Sequence, residues 1–160
     1  MKTVIIIPAR FGSSRYEGKP LIKINKIPLI IRVVKKCVQA IGSDNVYVAT
    51  DDKRISKVVN DYGYKFVMTS KKNLTGTDRV AEASLKIKGD IFINVQGDEP
   101  LIKPNDIIKV INFKKKRKKG QRNKEHNPSG TNAQCISQSQ QGATSKLPAQ
   151  RVHARNKATT

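Results

Sequence analysis

Four short apolar runs stand out along the chain, each followed by a polar or glycine-containing stretch. The runs are rich in β-branched and aromatic residues and predict β-strands at Thr3–Ile7, Val46–Thr50, Lys65–Met68 and Asp90–Val95. The first run is almost wholly apolar, which is typical of a parallel strand that is buried on both faces. We expect Pro8 to end this strand, because proline donates no hydrogen bond to a neighbouring strand.

Apolar residues in the segments between the runs recur at three- and four-residue intervals, the spacing of an amphipathic helix. Helices are predicted at residues 28–41, around 55–62, at 77–87 and at 104–111. Gly42 is the expected C-terminal cap of the first helix, and Asp51 and Asp52 are the expected caps of the second. Thr77 is the expected N-cap of the third helix, where Asp78 would face the positive end of the helix dipole.

This alternation of strands and helices predicts an α/β fold, with a parallel sheet and helices on both of its faces. In such sheets, ligands bind beyond the carboxyl ends of the strands. The loops that follow the four strands are therefore expected to converge on one site. These loops are residues 8–20, 50–52, 69–76 and 96–100.

The loop after the first strand has a composition that suits a polyphosphate. Two glycines allow close backbone approach, and two serines can donate hydrogen bonds. Three further residues are cations. In that order the residues are Gly12 and Gly18, Ser13 and Ser14, and Arg10, Arg15 and Lys19. The loop lacks the Walker A and GxGxxG spacings. A solvated basic loop after a first strand is therefore an open alternative.

The loop after the fourth strand places acidic residues at the same expected edge of the sheet. Asp98 and Glu99 are hard oxygen ligands, and Gly97 allows an unusual backbone turn. Magnesium is typically held by one or two carboxylates together with substrate phosphates, which makes Asp98 a candidate metal ligand. No histidine occurs in residues 1–113, which disfavours a softer metal there. The alternative is an ordinary acidic turn before Pro100.

Two further features have both a functional and a structural interpretation. The helix start at residues 75–79 could hold an anion with its amides while Arg79 reaches a substrate, or it could be a cap with a surface arginine. Cys37 lies on an apolar helix face, which favours a core residue over a nucleophile. Cys37 and Cys135 have no disulfide-scaffold or zinc-site spacing, as is typical of a protein from a reducing cytosol.

Charge divides the chain into two unequal parts. Residues 1–113 contain 20 basic and 11 acidic residues, whereas residues 114–160 contain 12 basic residues and one acidic residue. The second part begins with six consecutive cations, Lys114–Lys119, and has few large apolar residues, so we expect residues 120–160 to be disordered. We therefore predict an α/β domain at 1–113 and a basic low-complexity tail at 114–160. No apolar run approaches the roughly 18 residues of a membrane-spanning helix, so no membrane association is expected.

Six segments of the first 113 residues together resemble the 3-deoxy-manno-octulosonate cytidylyltransferases, or CMP-Kdo synthetases. The segments are IIPARFGSSR (6–15), GKPL (18–21), VATDD (48–52), MTS (68–70), TGTDRVAE (75–82) and NVQGDEPLI (94–102). The related acylneuraminate cytidylyltransferases resemble the chain less closely, particularly at residues 75–79 and 96–100.

The resemblance implies a Rossmann-like fold of the nucleotide-diphospho-sugar transferase type and a magnesium-dependent cytoplasmic enzyme. Such an enzyme transfers CMP from CTP to the sugar acid Kdo and releases diphosphate, for lipopolysaccharide biosynthesis. By matching position, the residues that face the triphosphate would be Arg10, Ser13 and Lys19. Gln96 and Arg79 would line the site, and Asp98 would bind the metal. Lys19 and Asp98 would have the catalytic roles, because this kind of transfer relies on positioning and charge neutralisation.

The tail does not resemble this family, whose second half supplies much of the sugar-acid pocket, a second metal-binding aspartate and the homodimer interface. One hypothesis is that a truncation or frameshift near the lysine run replaced that half, which would leave a fragment that at most binds nucleotide. Another is that the cationic run binds nucleic acid. A solvated tail is favoured over nucleic-acid binding, because basic runs are frequent false positives as motifs.

Overall fold

Strands and helices alternate along the described part of the chain, which in this computed structural model is residues 1–12, 16–118 and 133–136. In chain order the elements are β1 (Thr3–Ala9), β2 (Lys23–Ile24), β3 (Ile27–Pro28), α1 (Leu29–Ile41), β4 (Val46–Thr50), α2 (Lys53–Asp61), β5 (Lys65–Met68), α3 (Gly76–Lys86), β6 (Ile91–Val95), α4 (Pro104–Lys118) and β7 (Ala133–Ile136). The four predicted strands are thus confirmed, as β1, β4, β5 and β6.

The central sheet has the strand order β5–β4–β1–β6–β7. Its first four strands are parallel: in β1, Ile5 pairs with Val46 of β4 and also with Ile93 of β6. The central position of β1 follows from its sequence, because all side chains from Val4 to Ile7 are fully buried. The expected parallel α/β sheet is confirmed.

Helices cover both faces of this sheet, as predicted. Helices α1, α2 and α4 pack on one face, where their apolar residues join Ile5, Ile7 and Ile93 in the larger core cluster. Of the described helices, α3 alone packs on the other face, where Val80 and Ala83 meet alternate residues of the same strands. None of the helices within the described residues is long and apolar enough to cross a bilayer.

Pro8 does not end the first strand, contrary to the expectation. Strand β1 continues to Ala9, which pairs with Thr50 of β4. The pairing of β1 with β6, in contrast, ends at Ile6. Pro8 therefore lies where β1 has a single neighbouring strand, which is the kind of position in a sheet where proline is tolerated.

The start of α3 also differs from the prediction, because the N-cap is Thr75 and not Thr77. The Thr75 hydroxyl accepts a hydrogen bond from the Asp78 amide, and the Asp78 carboxylate accepts one from the Thr75 amide. This reciprocal capping box satisfies two amides at once. Thr77 could not form such a box with Asp78, because Asp78 follows it directly and not three positions later. At α2, Asp52 is confirmed as the N-cap.

A two-residue turn joins β2 to β3 in a small hairpin that the apolar pattern did not predict. The turn residues Asn25 and Lys26 both have positive φ, 49° and 65°. Arg32 of α1 donates two hydrogen bonds to the Ile24 carbonyl and ties the hairpin to the helix. Positive φ at both positions is the geometry of a type I′ turn, in which glycine is preferred at the second position.

Regular structure extends beyond residue 113, where the α/β domain was expected to end. Helix α4 continues through the first five residues of the cationic run to Lys118, and β7 pairs antiparallel with β6. The four residues of β7 were expected to be disordered; they instead pair with the outer edge of β6, whose backbone groups would otherwise lack partners. The rest of the predicted tail lies outside the described residues.

Candidate functional site

A cleft of about 600 Å³ opens at the carboxyl ends of β1 and β6. Its walls come from the loops after β1, β5 and β6, so the predicted convergence of loops is confirmed for these three. The lining residues are Pro8, Arg10, Tyr16, Lys19, Pro20, Ile22, Leu74, Thr75, Gly76, Arg79, Gln96, Gly97 and Asp98.

Lys19 and Asp98 meet across this cleft. The Lys19 Nζ atom lies 2.7 Å from the Asp98 Oδ2 atom, and both side chains are about half exposed. Lys19 begins a short 3₁₀ turn directly after Gly18, whose φ of +71° suits glycine. The pair connects the loop after β1 to the loop after β6, and it places a cation and a hard anion side by side in reach of solvent.

Gly97 lets the loop after β6 lie directly against the end of β1. A Cβ atom at Gly97 would stand 2.7 Å from the Pro8 carbonyl oxygen and 3.2 Å from Cδ1 of Ile30. No side chain fits there without a shift of the backbone. The absence of a side chain at Gly97 therefore sets how close Gln96 and Asp98 come to the loop after β1.

An ion pair between a buried arginine and a partly exposed aspartate lies at the wall of the cleft. The Arg79 side chain is 3% exposed, and its Nη2 atom lies 3.1 Å from the Asp51 Oδ2 atom. Its Nη1 atom donates a hydrogen bond to the Thr69 hydroxyl. Together with the Thr69 contact, the pair joins α3 to the loops after β4 and β5, so Arg79 is not a surface arginine, and its buried side chain forms part of the cleft wall. Asp51, which was expected to cap a helix, is instead the carboxylate of this pair.

Glu82 holds the loop that forms one wall of the cleft. Its carboxylate accepts hydrogen bonds from Lys86, from the Ser70 amide and from the Asn73 side chain. These bonds lower the pKa of Glu82 from 4.5 to about 2, with the Lys86 bond as the largest cause and the Ser70 amide next. The ionised carboxylate therefore fixes residues 70–73, directly before the cleft-lining Leu74 and Thr75.

Five of the six predicted site residues line this one cleft: Arg10, Lys19, Arg79, Gln96 and Asp98. The sixth, Ser13, lies outside the described residues. Sequence reasoning missed Tyr16, Ile22 and Leu74, since an exposed apolar side chain in a loop carries no pattern that distinguishes a site. Cys37 is fully buried in the larger core cluster, and burial raises its pKa to about 12, which confirms the core interpretation.

A metal ion would find few protein ligands here. Within the described residues, no group of three or more histidine, cysteine or acidic side chains could hold one. Asp98 and Glu99 are nonetheless adjacent hard oxygen donors; burial raises the pKa of Glu99, and the Asp98 charge raises it further. This donor set fits a magnesium ion that brings most of its ligands with it, as an ion bound to phosphates does.

Comparisons with known proteins agree with this geometry. Residues 4–153 match the cytidylyltransferase family model. The 3-deoxy-manno-octulosonate cytidylyltransferase of Escherichia coli is 46% identical over 110 residues, which are 69% of this chain and 45% of that protein. The 8-amino-3,8-dideoxy-manno-octulosonate cytidylyltransferase of Shewanella sp. (strain W3-18-1) is 50% identical over 117 residues, 71% of this chain and 47% of that protein.

One solved structure, CMP:2-keto-3-deoxy-manno-octonic acid synthetase complexed with CTP, is similar with a TM-score of 0.70 and 44% identity. The similarity covers 72% of this chain and 48% of that chain. The chain thus spans about half the length of the curated relatives it matches.

Proposed function

The chain belongs to the cytidylyltransferase family, and we propose that it binds CTP in the cleft and serves the transfer of CMP to 3-deoxy-manno-octulosonate (Kdo). The observation that carries this proposal is the meeting of Arg10, Lys19 and Asp98 in one cleft at the carboxyl ends of β1 and β6. Two cations and a carboxylate are what a magnesium-bound triphosphate requires.

In this proposal Arg10 and Lys19 face the triphosphate. Lys19 gives up its contact with Asp98 when phosphate oxygens arrive, and its charge then neutralises the diphosphate leaving group. Ser13 is assigned to the same role by resemblance alone. Gln96 and Arg79 line the remaining walls, where Arg79 is held in place by Asp51.

Asp98 is the proposed ligand of a magnesium ion. When bound, the ion would withdraw charge from the phosphate oxygens and so favour attack at phosphorus. Because Asp98 is a single exposed carboxylate, nucleotide and metal are expected to bind together.

The proposed reaction joins a hydroxyl oxygen of the sugar acid to the α-phosphorus of CTP. The bond from the α-phosphorus to the bridging oxygen breaks, diphosphate leaves, and the hydroxyl proton is lost to solvent. No side chain needs to form a covalent bond, which agrees with a cleft lined by cations, an amide and a carboxylate. The described residues supply the nucleotide side of such a site.

Diphosphate release from CTP in the presence of Kdo and magnesium tests this proposal. We expect Asp98→Ala to lower the release rate by at least roughly 100-fold, because a preorganised electrostatic contact to the reacting phosphate is lost. Asp106→Ala is the matched control, since Asp106 pairs with Lys109 on α4 and does not line the cleft. Binding of CTP without any release would limit the chain to nucleotide binding, and failure of CTP to bind would refute the proposal.

The acceptor could also be the 8-amino analogue of Kdo. The Shewanella relative named for that analogue is 50% identical to this chain, against 46% for the Escherichia coli relative named for Kdo. Parallel assays with the two acceptors at equal concentration decide between them. The preferred acceptor is the one with the higher kcat/KM. Cytoplasmic location, lipopolysaccharide biosynthesis and a homodimer stay predictions from the family resemblance.

A further inference from the structure

The loop after β1 is gripped from outside the cleft by a side chain of α2. The Arg54 Cζ atom lies 3.2 Å from the centroid of the Phe11 ring, so the guanidinium stacks on the ring face. Phe11 itself packs against the larger core cluster. The contact therefore links Arg54 of α2 to Phe11, the residue that directly follows Arg10 in the loop after β1.

Asp52 fixes the position of that guanidinium. Its Oδ1 atom accepts a hydrogen bond of 3.0 Å from Arg54 Nε, and its Oδ2 atom accepts one of 2.7 Å from Arg54 Nη2. Asp52 is also the N-cap of α2 and accepts the Arg54 amide at 2.8 Å. A two-point grip on a planar group leaves little rotational freedom, and here it is anchored to the end of a helix.

The far end of the same ring meets Gly18. A Cβ atom at Gly18 would lie 3.1 Å from both Cε2 and Cζ of Phe11, so a side chain at this position would crowd the ring, and the Gly18 φ of +71° also favours glycine. The Gly18 amide also donates a 2.8 Å hydrogen bond to the Phe11 carbonyl. The ring and this hydrogen bond together close the neck of the loop, which we define as residues Phe11 and Gly18.

Both cations of the cleft flank this neck. Arg10 precedes Phe11, and Lys19 follows Gly18. We propose that Arg54 is a positioning residue, which holds the neck through Phe11 so that Arg10 and Lys19 are presented to the triphosphate from a fixed backbone. This inference rests on the proposed function, because it assigns the purpose of the neck to CTP binding.

A simpler explanation is that Arg54 acts only through its charge. Glu17 in the loop does attract it: the pKa of Arg54 is raised first by the hydrogen bond with Asp52 and, more weakly, by the Glu17 carboxylate. Positioning and charge make different demands on the side chain. Positioning needs the planar guanidinium that Asp52 can grip at two points, whereas charge alone is supplied equally well by lysine.

Two measurements on the full chain test the inference. The first is the NMR shift of the Gly18 α-protons, which lie against the Phe11 ring and are displaced by its ring current. The second is the Kd of CTP with magnesium, measured by calorimetry. The variants are Arg54→Gln, Arg54→Lys and, as a matched control on the same helix, Lys57→Gln, which removes an exposed cation paired with Asp61.

We expect Arg54→Gln and Arg54→Lys both to lose most of the Gly18 displacement and to raise the Kd of CTP roughly two- to fivefold, the range of one surface stacking contact. Lys57→Gln should leave the Gly18 shift unchanged and alter the Kd less than about twofold.

Three results would overturn the inference. The Gly18 displacement could persist in Arg54→Gln, or it could vanish while the Kd stays that of the wild type. Alternatively, Arg54→Lys could bind CTP as the wild type does while Lys57→Gln weakens binding as much as Arg54→Gln, which would leave charge as the cause. If the wild-type chain binds no CTP, the proposed function fails, whereas the Gly18 shift still decides whether Arg54 holds the neck.

Discussion

Replacing Gly97 by alanine places a methyl group against the backbone of the central strand. The new Cβ atom would stand 2.7 Å from the Pro8 carbonyl oxygen, whereas ordinary van der Waals contact begins at 3.4 Å. The loop after β6 must therefore retreat by about 0.7 Å, because Pro8 is held in the sheet by its pairing with β4. Cδ1 of Ile30, at 3.2 Å, blocks part of the way out.

The cost of this substitution has two parts. Overpacking of this kind destabilises a folded core by roughly 1–3 kcal/mol. For a domain of this size that corresponds to a fall in Tm of roughly 5–15 °C. The retreat also carries Asp98 away from Lys19, and a displacement approaching 1 Å at a reacting centre can lower a rate by roughly 100-fold.

Thermal unfolding and diphosphate release measure these two parts separately. Gly12→Ala is the matched control for thermal unfolding, because a Cβ atom at Gly12 would meet nothing within 4 Å, and Asp106→Ala, on α4 and away from the cleft, is the control for diphosphate release. We expect Gly97→Ala to lower both the Tm and the release rate, with the rate still lowered at a temperature where the variant is fully folded. A Gly97→Ala protein with wild-type Tm and rate would show that the loop after β6 does not depend on this close approach.

Three further predictions concern stability. Asp51→Ala should destabilise the fold by roughly 3–5 kcal/mol in urea unfolding, since it leaves the Arg79 cation buried without its carboxylate; Asp61→Ala, which breaks an exposed pair, should cost less than about 1 kcal/mol. The lowered pKa of Glu82 contributes to the free energy of unfolding fully above pH 4.5, and this contribution is lost as the pH falls toward 2. Glu82→Gln should therefore reduce the difference in the free energy of unfolding between pH 5 and pH 3, and an unchanged difference would contradict this. Lys26→Gly should stabilise the hairpin turn by about 0.5–1 kcal/mol, because glycine adopts its φ of 65° without strain, and an unchanged or lower Tm would speak against it.

Much of the sheet could be predicted because its signals are local. A parallel strand buried on both faces must be apolar at successive positions, and β1 and β6 show this directly. The N-cap of α3 was also within reach, since Thr75 and Asp78 have the three-residue spacing of a capping box. The prediction of Thr77 as the N-cap did not take this spacing into account.

Other features depend on neighbours that no local pattern reveals. Pro8 is tolerated in β1 only because β6 has already ended beside it. The Asp51–Arg79 pair joins residues from different loops, and nothing near either residue in the sequence indicates the other. The five cleft residues were predicted from the order of the loops and from the family resemblance. The distances among them depend on close packing at Gly97 and Phe11, which the sequence alone does not reveal.

The order of the strands also sets the order in which the cleft can be built. Strand β1 can pair with β4, and β4 with β5, once about 70 residues have been synthesised, but the other neighbour of β1, strand β6, begins only at Ile91. Arg10 and Asp98 therefore come together in the last parallel pairing of the sheet, which closes the longest loop between paired parallel strands and is expected to form slowly. A nucleotide that binds in the cleft, as proposed, would then favour the completed sheet over its partly assembled forms and so promote the folding of its own site.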